Sequence, residues 1–245
     1  MKNNHQPPLH PRKIFLEWYH VTNLGRILQT IEASYLQSAI KLTFNETILQ
    51  VGVLGSEALY IPEGYSHRFI LVHLETMPSP QVDDFRPDIL ASVSELPITT
   101  GSVDTLILPH VLEFEEEHRH LILCEVERVL RPEGKLFVLG FNPLSPHGVI
   151  QYLPRRDSFW RTDFISCRSL LDWLRELSFE AESRVTFDAG SSRILRNPCG
   201  FMEKSRANLS FAYAVKAIKR RHALLHIEPS WITAPGLVAG HMFEI

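Results

Sequence analysis

The sequence predicts an α/β fold: a doubly wound, mostly parallel sheet preceded by a helical segment. Three observations predict it. Short apolar runs ended by turn residues recur at 48–53, 69–74, 103–108 and 135–141; a helical period separates the last two; and residues 15–42 keep a helical rhythm of their own.

In chain order, residues 1–10 are polar and proline-bearing and read as a disordered tail, followed by a helical cap over 11–44. Within the cap, Phe15, Trp18, Tyr19, Ile27, Leu28, Ile31, Tyr35 and Leu36 recur at three- and four-residue steps, which predicts one or two amphipathic helices broken near Thr22 to Gly25. The main domain is read as 45–222. Its first strands, 48–53 and 69–74, are short, mainly apolar runs, each suited to a parallel strand buried on both faces. Their crossovers are thin: Pro62 and Gly64 interrupt the first, and 76–88 carries Pro78, Pro80 and Pro87 with no helical period. A strand at 103–108 leads to a crossover helix over 115–131, with Ile122, Val126, Val129 and Leu130 on one face and a Glu127 to Arg131 pair on the other. Arg131-Pro132-Glu133-Gly134 has the composition of a turn, and a strand at 135–141 follows it. Then come a helix at 167–177, a strand at 179–185, a loop insertion at 188–208 and a last strand at 210–218. Residues 223–245 form a loosely specified tail.

The totals bound the function. With 25 Lys and Arg against 28 Asp and Glu, the net charge of -3 offers no basic field, so nucleic acid is not an expected partner. No stretch suggests a membrane span or a secretory leader, and the expected location is cytoplasmic. The 3 cysteines form no Cys-x-x-Cys pair, so neither a disulfide framework nor a metal site is expected. Cys124, among Leu121, Ile122 and Val126, reads as a small buried hydrophobe.

In a doubly wound sheet the ligand lies beyond the carboxyl ends of the strands, where the strand order reverses. The residues there are Gly52 and Gly55 after the first strand, His73 and Glu75 after the second, Ser92 to Leu96 before the third, Pro109 and His110 after it, and Asn142 after the next.

The runs LPITTGSVDTLILPHVLEF and EVERVLRPEGKLFVLGFNP resemble the central half of the class I S-adenosylmethionine-dependent methyltransferases, specifically the type 11 bacterial group. The resemblance covers about residues 47–145, and 179–220 more loosely. It implies a seven-stranded Rossmann-like sheet with an antiparallel last strand, S-adenosylmethionine as cofactor, and a small-molecule acceptor. By position it implies that Gly52, with Gly55, wraps the methionine end of the cofactor, and that Glu75 or His73 holds the ribose hydroxyls. Ser92 stands where the family has an adenine-contacting aspartate. Leu96 lines the adenine pocket, and Pro109 and His110 sit at the methyl, with a neutral His110 as candidate base. Asn142 and the arginines of YLPRRDSFWR, Arg155 and Arg156, face the substrate, where they would grip a carboxylate or phosphate. Three departures stand out: Gln50 replaces the leading acid of the loop, Leu54 occupies a glycine position, and Ser92 replaces the aspartate. They keep open a second reading, a catalytically silent member of the fold that binds a ligand or a protein partner. A dinucleotide site is weaker, since no third close glycine follows Gly52 and Gly55. The aromatic N-terminal helices would cap the substrate or mediate dimerisation; the sequence does not fix the oligomeric state.

Overall fold

The structure is a computed structural model of the 245-residue chain, and it describes residues 10–41, 45–55, 57–60, 68–75, 87–92, 95–146, 162–188, 193–196 and 210–220. The N-terminal segment is two helices, α1 (Pro11–Val21) and α2 (Asn23–Ala39). Pro11 occupies the first turn of α1, where its missing N–H is no loss, and the His10 ring accepts from the Arg12 amide at 3.3 Å. The break falls at Thr22, whose hydroxyl caps α2 by accepting from the Gly25 amide at 3.0 Å. Gly25 is required there, because a Cβ would overlap the Tyr19 and Trp18 carbonyls.

The described sheet has eight strands: β1 (Thr47–Val51), β2 (Arg68–Leu74), β3 (Ile89–Ala91), β4 (Val103–Pro109), β5 (Leu130–Phe141), β6 (Phe179–Asp188), β7 (Arg193–Arg196) and β8 (Ala212–Lys219). Their order is β3-β2-β1-β4-β5-β8-β6-β7. The first five are parallel, and β8 is inserted antiparallel between β5 and β6. This is the expected mostly parallel sheet with an antiparallel final strand. The addition is β7, which pairs antiparallel with β6 and lies within the stretch expected to be only a loop. Strand order reverses between β1 and β4, so the crevice beyond their carboxyl ends is the place for a ligand.

Alternation along the central strands splits the core in two. Leu106 and Leu108 of β4, with Leu136 and Val138 of β5, pack on one face among Val126 of α3 (Arg119–Val129) and Leu170 of α4 (Cys167–Glu176). Ile107, Phe137 and Leu139 face the other way, onto Phe15 and Tyr19 of α1 and Leu28 and Leu36 of α2. The N-terminal helices therefore form one of the two layers that the sheet needs rather than an appendage to it.

Three sequence expectations need correction. The turn at 131–134 is a bulge inside β5: Leu130 pairs with Val103, Lys135 pairs with Thr105, and Glu133 between them has φ 63°. Because α3 ends at Val129, Arg131 bonds Asp104 instead of Glu127, and Glu127 pairs with Lys219 at 2.8 Å. Cys124 is exposed, on the outer side of α3. Among the described residues no helix is long and apolar enough to cross a membrane.

Candidate functional site

The loop leaving β1 turns through two glycines of positive φ, Gly52 at 93° and Gly55 at 90°. The loop's peptide groups are satisfied by the chain's own side chains. Gln50 donates to the Gly52 carbonyl at 3.0 Å, Arg12 Nη2 to the Val53 carbonyl at 3.0 Å, and His20 Nε2 lies 2.6 Å from the Leu54 carbonyl. The Glu57 carboxylate, from a 3-10 turn at Glu57–Leu59, accepts from the Leu54 and Gly55 amides, the latter at 2.9 Å. Leu54 itself is fully buried, within the cluster formed by α1 and α2. Gly52 packs against the loop after β4, where a Cβ would overlap Val111 Cγ2. Gly52→Ala is therefore expected to cost about 2–3 kcal/mol, from overpacking together with a strained backbone. Urea denaturation measures it, and a loss under about 0.5 kcal/mol would mean that the two loops separate easily.

At the end of β4, Pro109 lies opposite Leu139, and His110 follows with φ 49°. His110 is completely buried, stacked on Phe141 at 4.3 Å and tilted against Phe15 at 5.3 Å. Its Nε2 lies 2.8 Å from Glu32 Oε1 of α2, and its Nδ1 lies 3.6 Å from Glu113 Oε1. Tyr19 donates to Glu32 Oε2 at 2.7 Å and lies 3.1 Å from the Tyr60 hydroxyl, so a buried polar chain runs from Tyr60 to His110. Burial disfavours the imidazolium, but the Glu32 and Glu113 carboxylates outweigh it and raise the His110 pKa to about 9. At neutral pH His110 is thus a cation, with no free lone pair to take a proton.

Arg12 joins the two loops. Its Nη1 donates to the His110 carbonyl at 2.8 Å while Nη2 holds Val53, and the whole side chain is buried. Burial lowers its pKa to about 10, against the pull of the Glu113, Glu115 and Glu57 carboxylates, which leaves it charged at neutral pH.

The other sequence-predicted residues fall into three places. Glu75 and Ser92 follow the last paired residues of β2 and β3, Leu74 and Ala91, and the Glu75 amide donates to the Ala91 carbonyl at 3.0 Å; both residues are exposed. His73 is buried inside β2, opposite Leu90. Leu96 is buried, and Glu125 accepts from its amide at 2.9 Å. Asn142 lies further along the sheet, where its side chain donates to the Ser210 carbonyl at 2.8 Å and accepts from the Leu144 amide. Arg155 and Arg156 lie outside the described residues, as do the two terminal tails apart from His10.

Arg12, His20, Glu32 and Glu57 were not among the sequence-predicted residues. Three of them carried a readable signal. Arg12 sits on the apolar stripe with Phe15 and Tyr19, and Glu57 follows Leu54 at the three-residue spacing by which a carboxylate reaches back to loop amides. Glu32 occupies the same kind of position, on the buried face of α2.

Residues 50–138 match the family profile described as methyltransferase domain. Over 135 residues the chain is 31% identical to the uncharacterized protein YafS of Escherichia coli (strain K12), covering 54% of this chain and 52% of YafS. The chain thus spans about half the length of that relative. The fold is similar to that of an S-adenosylmethionine-dependent methyltransferase from Thermotoga maritima, described as a possible histamine N-methyltransferase; the TM-score is 0.62 at 17% identity, over 84% of this chain and 94% of the other. It is also similar to geranyl diphosphate C-methyltransferase from Streptomyces coelicolor, with a TM-score of 0.52 at 12% identity, over 79% and 80% of the two chains. Residues 50–138 thus match a methyltransferase-domain family, and the fold of the described residues is similar to that of S-adenosylmethionine-dependent methyltransferases.

Proposed function

We propose that this chain transfers the methyl group of S-adenosylmethionine, the cofactor of its domain type, to a small-molecule acceptor. The observation that supports the reading is that Glu75 and Ser92 are exposed at the ends of the neighbouring strands β2 and β3, on the β1 side of the reversal of strand order. The Glu75 carboxylate can accept from a ribose diol, and Leu96 offers an apolar wall to the adenine.

For the nucleoside end the exposed Glu75 carboxylate supports the reading, while Leu96 is buried in the core beside it. The methionine end fits only after an exchange of partners. The Leu54 and Gly55 amides suit a carboxylate ligand, but Glu57 already holds them; Arg12 suits the same ligand, but it is bonded to two carbonyls. Bound, the cofactor supplies an already activated sulfonium methyl, so alignment does most of the work and a strong base is optional. His110 then contributes a fixed positive charge and a rigid aromatic wall with Phe15 and Phe141, rather than a proton-accepting nitrogen.

The second reading, a catalytically silent member of the fold, is favoured by that same self-satisfied loop. Isothermal titration with S-adenosylmethionine and S-adenosylhomocysteine separates the two. Glu57→Gln keeps an acceptor for the loop but drops the charge, and it is expected to bind the cofactor about five- to ten-fold more tightly. Unchanged or weaker binding would show that Glu57 shapes the loop without competing for it. No heat at millimolar ligand, in wild type and Glu57→Gln alike, leaves the silent reading.

A further inference from the structure

The carboxyl ends of β5 and β6, together with the starts of β8 and α4, enclose a cavity of about 110 Å³. Sites for whole small ligands run to roughly 300–1,000 Å³, so this one has the size of a single head group. Alternation along β6 builds its inner wall. Val185 and Phe187 pack in the cluster formed with α1 and α2, which leaves Arg184 and Thr186 on the α4 face, where Thr186 lies opposite Tyr213 of β8. Asn142, which the sequence places toward the substrate, borders the same cavity, one residue beyond Phe141 and its stack on His110.

The charge around this cavity is one-sided. Its described lining residues include two cations, Arg168 of α4 and Arg184 of β6, and no acid. Arg168 is exposed and makes no ion pair among the described residues. Arg184 is half-buried and donates to the Cys167 sulfur. Burial pushes the Cys167 thiol up to about 11 against the pull of Arg184, so at neutral pH the thiol is uncharged and cancels none of the guanidinium's charge. The acids closest along these elements are engaged elsewhere: Glu182 pairs with Lys216 at 2.5 Å, and Asp172 pairs with Arg175. Glu113 reaches Tyr213 electrostatically, but its carboxylate accepts from the Phe141 amide at 2.9 Å and stands beside the His110 cation. Ser166, which caps α4 by accepting from the Ser169 amide at 3.0 Å, also lines the cavity, so the positive end of the helix adds to the two arginines.

We infer that this cavity binds an oxyanion head group, a carboxylate or a phosphate, through the guanidinium groups of Arg168 and Arg184. As the anionic end of the methyl acceptor this rests on the methyl-transfer reading; as a binding site it does not. The sequence assigns the same chemistry to Arg155 and Arg156; the described arginines that border a cavity of this kind are Arg168 and Arg184.

The test is isothermal titration, at fixed ionic strength and without cofactor, of four probes that share a ring: phenyl phosphate, benzoate, benzyl alcohol and benzylamine. At least one of the two anions is expected to bind about ten-fold or more tightly than benzyl alcohol, and benzylamine not measurably. The tighter anion tells a phosphate site from a carboxylate site. Arg184→Gln should remove most of the anion's advantage, and Arg168→Gln, at an exposed position, should reduce it about two- to three-fold. Arg175→Gln, on the same helix but paired with Asp172, should leave it unchanged, which separates the cavity from general surface charge. Equal affinity of wild type for the anions and benzyl alcohol overturns the inference. So does an advantage that survives the double substitution of Arg168 and Arg184 by glutamine, or one that falls as far in Arg175→Gln. Should Arg184→Gln fail to fold, the probe series on wild type and Arg168→Gln decides. Because no probe needs the cofactor, a protein that binds phenyl phosphate but not S-adenosylmethionine would keep the cavity's assignment and lose only the methyl transfer.

Discussion

Glu32→Ala is expected to cost about 3–5 kcal/mol of folding stability at pH 6, the range for removing one partner of a buried charge pair. Glu32 is fully buried on α2, and its two oxygens serve different elements: Oε1 faces His110 at 2.8 Å at the end of β4, and Oε2 accepts from Tyr19 of α1 at 2.7 Å. Alanine leaves the buried His110 cation with only Glu113, at 3.6 Å, and Tyr19 with only the Tyr60 hydroxyl, at 3.1 Å. The loss should depend on pH with a definite sign. Folded His110 holds its proton up to about pH 9, whereas the unfolded chain releases it near 6.5. The folded state binds more protons between those values, so this pair's stabilisation is complete below pH 6.5 and is lost as pH rises through 9. Denaturant midpoints of wild type and Glu32→Ala measured from pH 6 to 9.5 should therefore converge as pH rises. Glu32→Gln, which can still accept from Tyr19, should recover part of the loss. A gap between the curves that stays constant with pH would mean that His110 is neutral in the fold.

The layers of this fold were legible because they rest on periodicity. Apolar runs such as Ile48 to Val53 and Val103 to Leu108 are buried on both faces and carry their own signal, and the stripe of Phe15, Tyr19, Leu28 and Leu36 marked helices with one buried side. β7 was missed because Arg193 to Arg196 has little pattern of its own and becomes a strand through pairing with β6. The site was legible in position and less so in content. Strand ends could be counted along the chain, and Glu75 and Ser92 stand just past the paired ends of β2 and β3. What fills the space beside Gly52 depends on partners 41 and 98 positions away in sequence, Arg12 to Val53 and Arg12 to His110. No local pattern reveals such a contact. The clue available was the chemical oddity of a charged residue on an apolar stripe.

That residue carries the other large effect. Arg12→Ala is expected to cost about 3–5 kcal/mol, and to cost it in a particular place. The substitution leaves the Val53 and His110 carbonyls without the Arg12 donors and removes a buried cation within electrostatic reach of Glu57 and Glu113. Glu17→Ala, on the exposed side of the same helix, should change stability by no more than about 0.5 kcal/mol. Lysine cannot span two carbonyls with one ammonium group, so Arg12→Lys should recover less than half of the loss. The local consequence follows from where the two carbonyls sit. Arg12 links the start of α1 to both loops of the crevice, so amide exchange in α1 should accelerate more than exchange in α3 or α4, which pack on the opposite face. If exchange instead rises uniformly over the whole sheet, α1 and the crevice open only with global unfolding. In that case a cofactor has no route to the Leu54 and Gly55 amides that leaves the fold intact, because α1 and Glu57 would have to move together with the core they close.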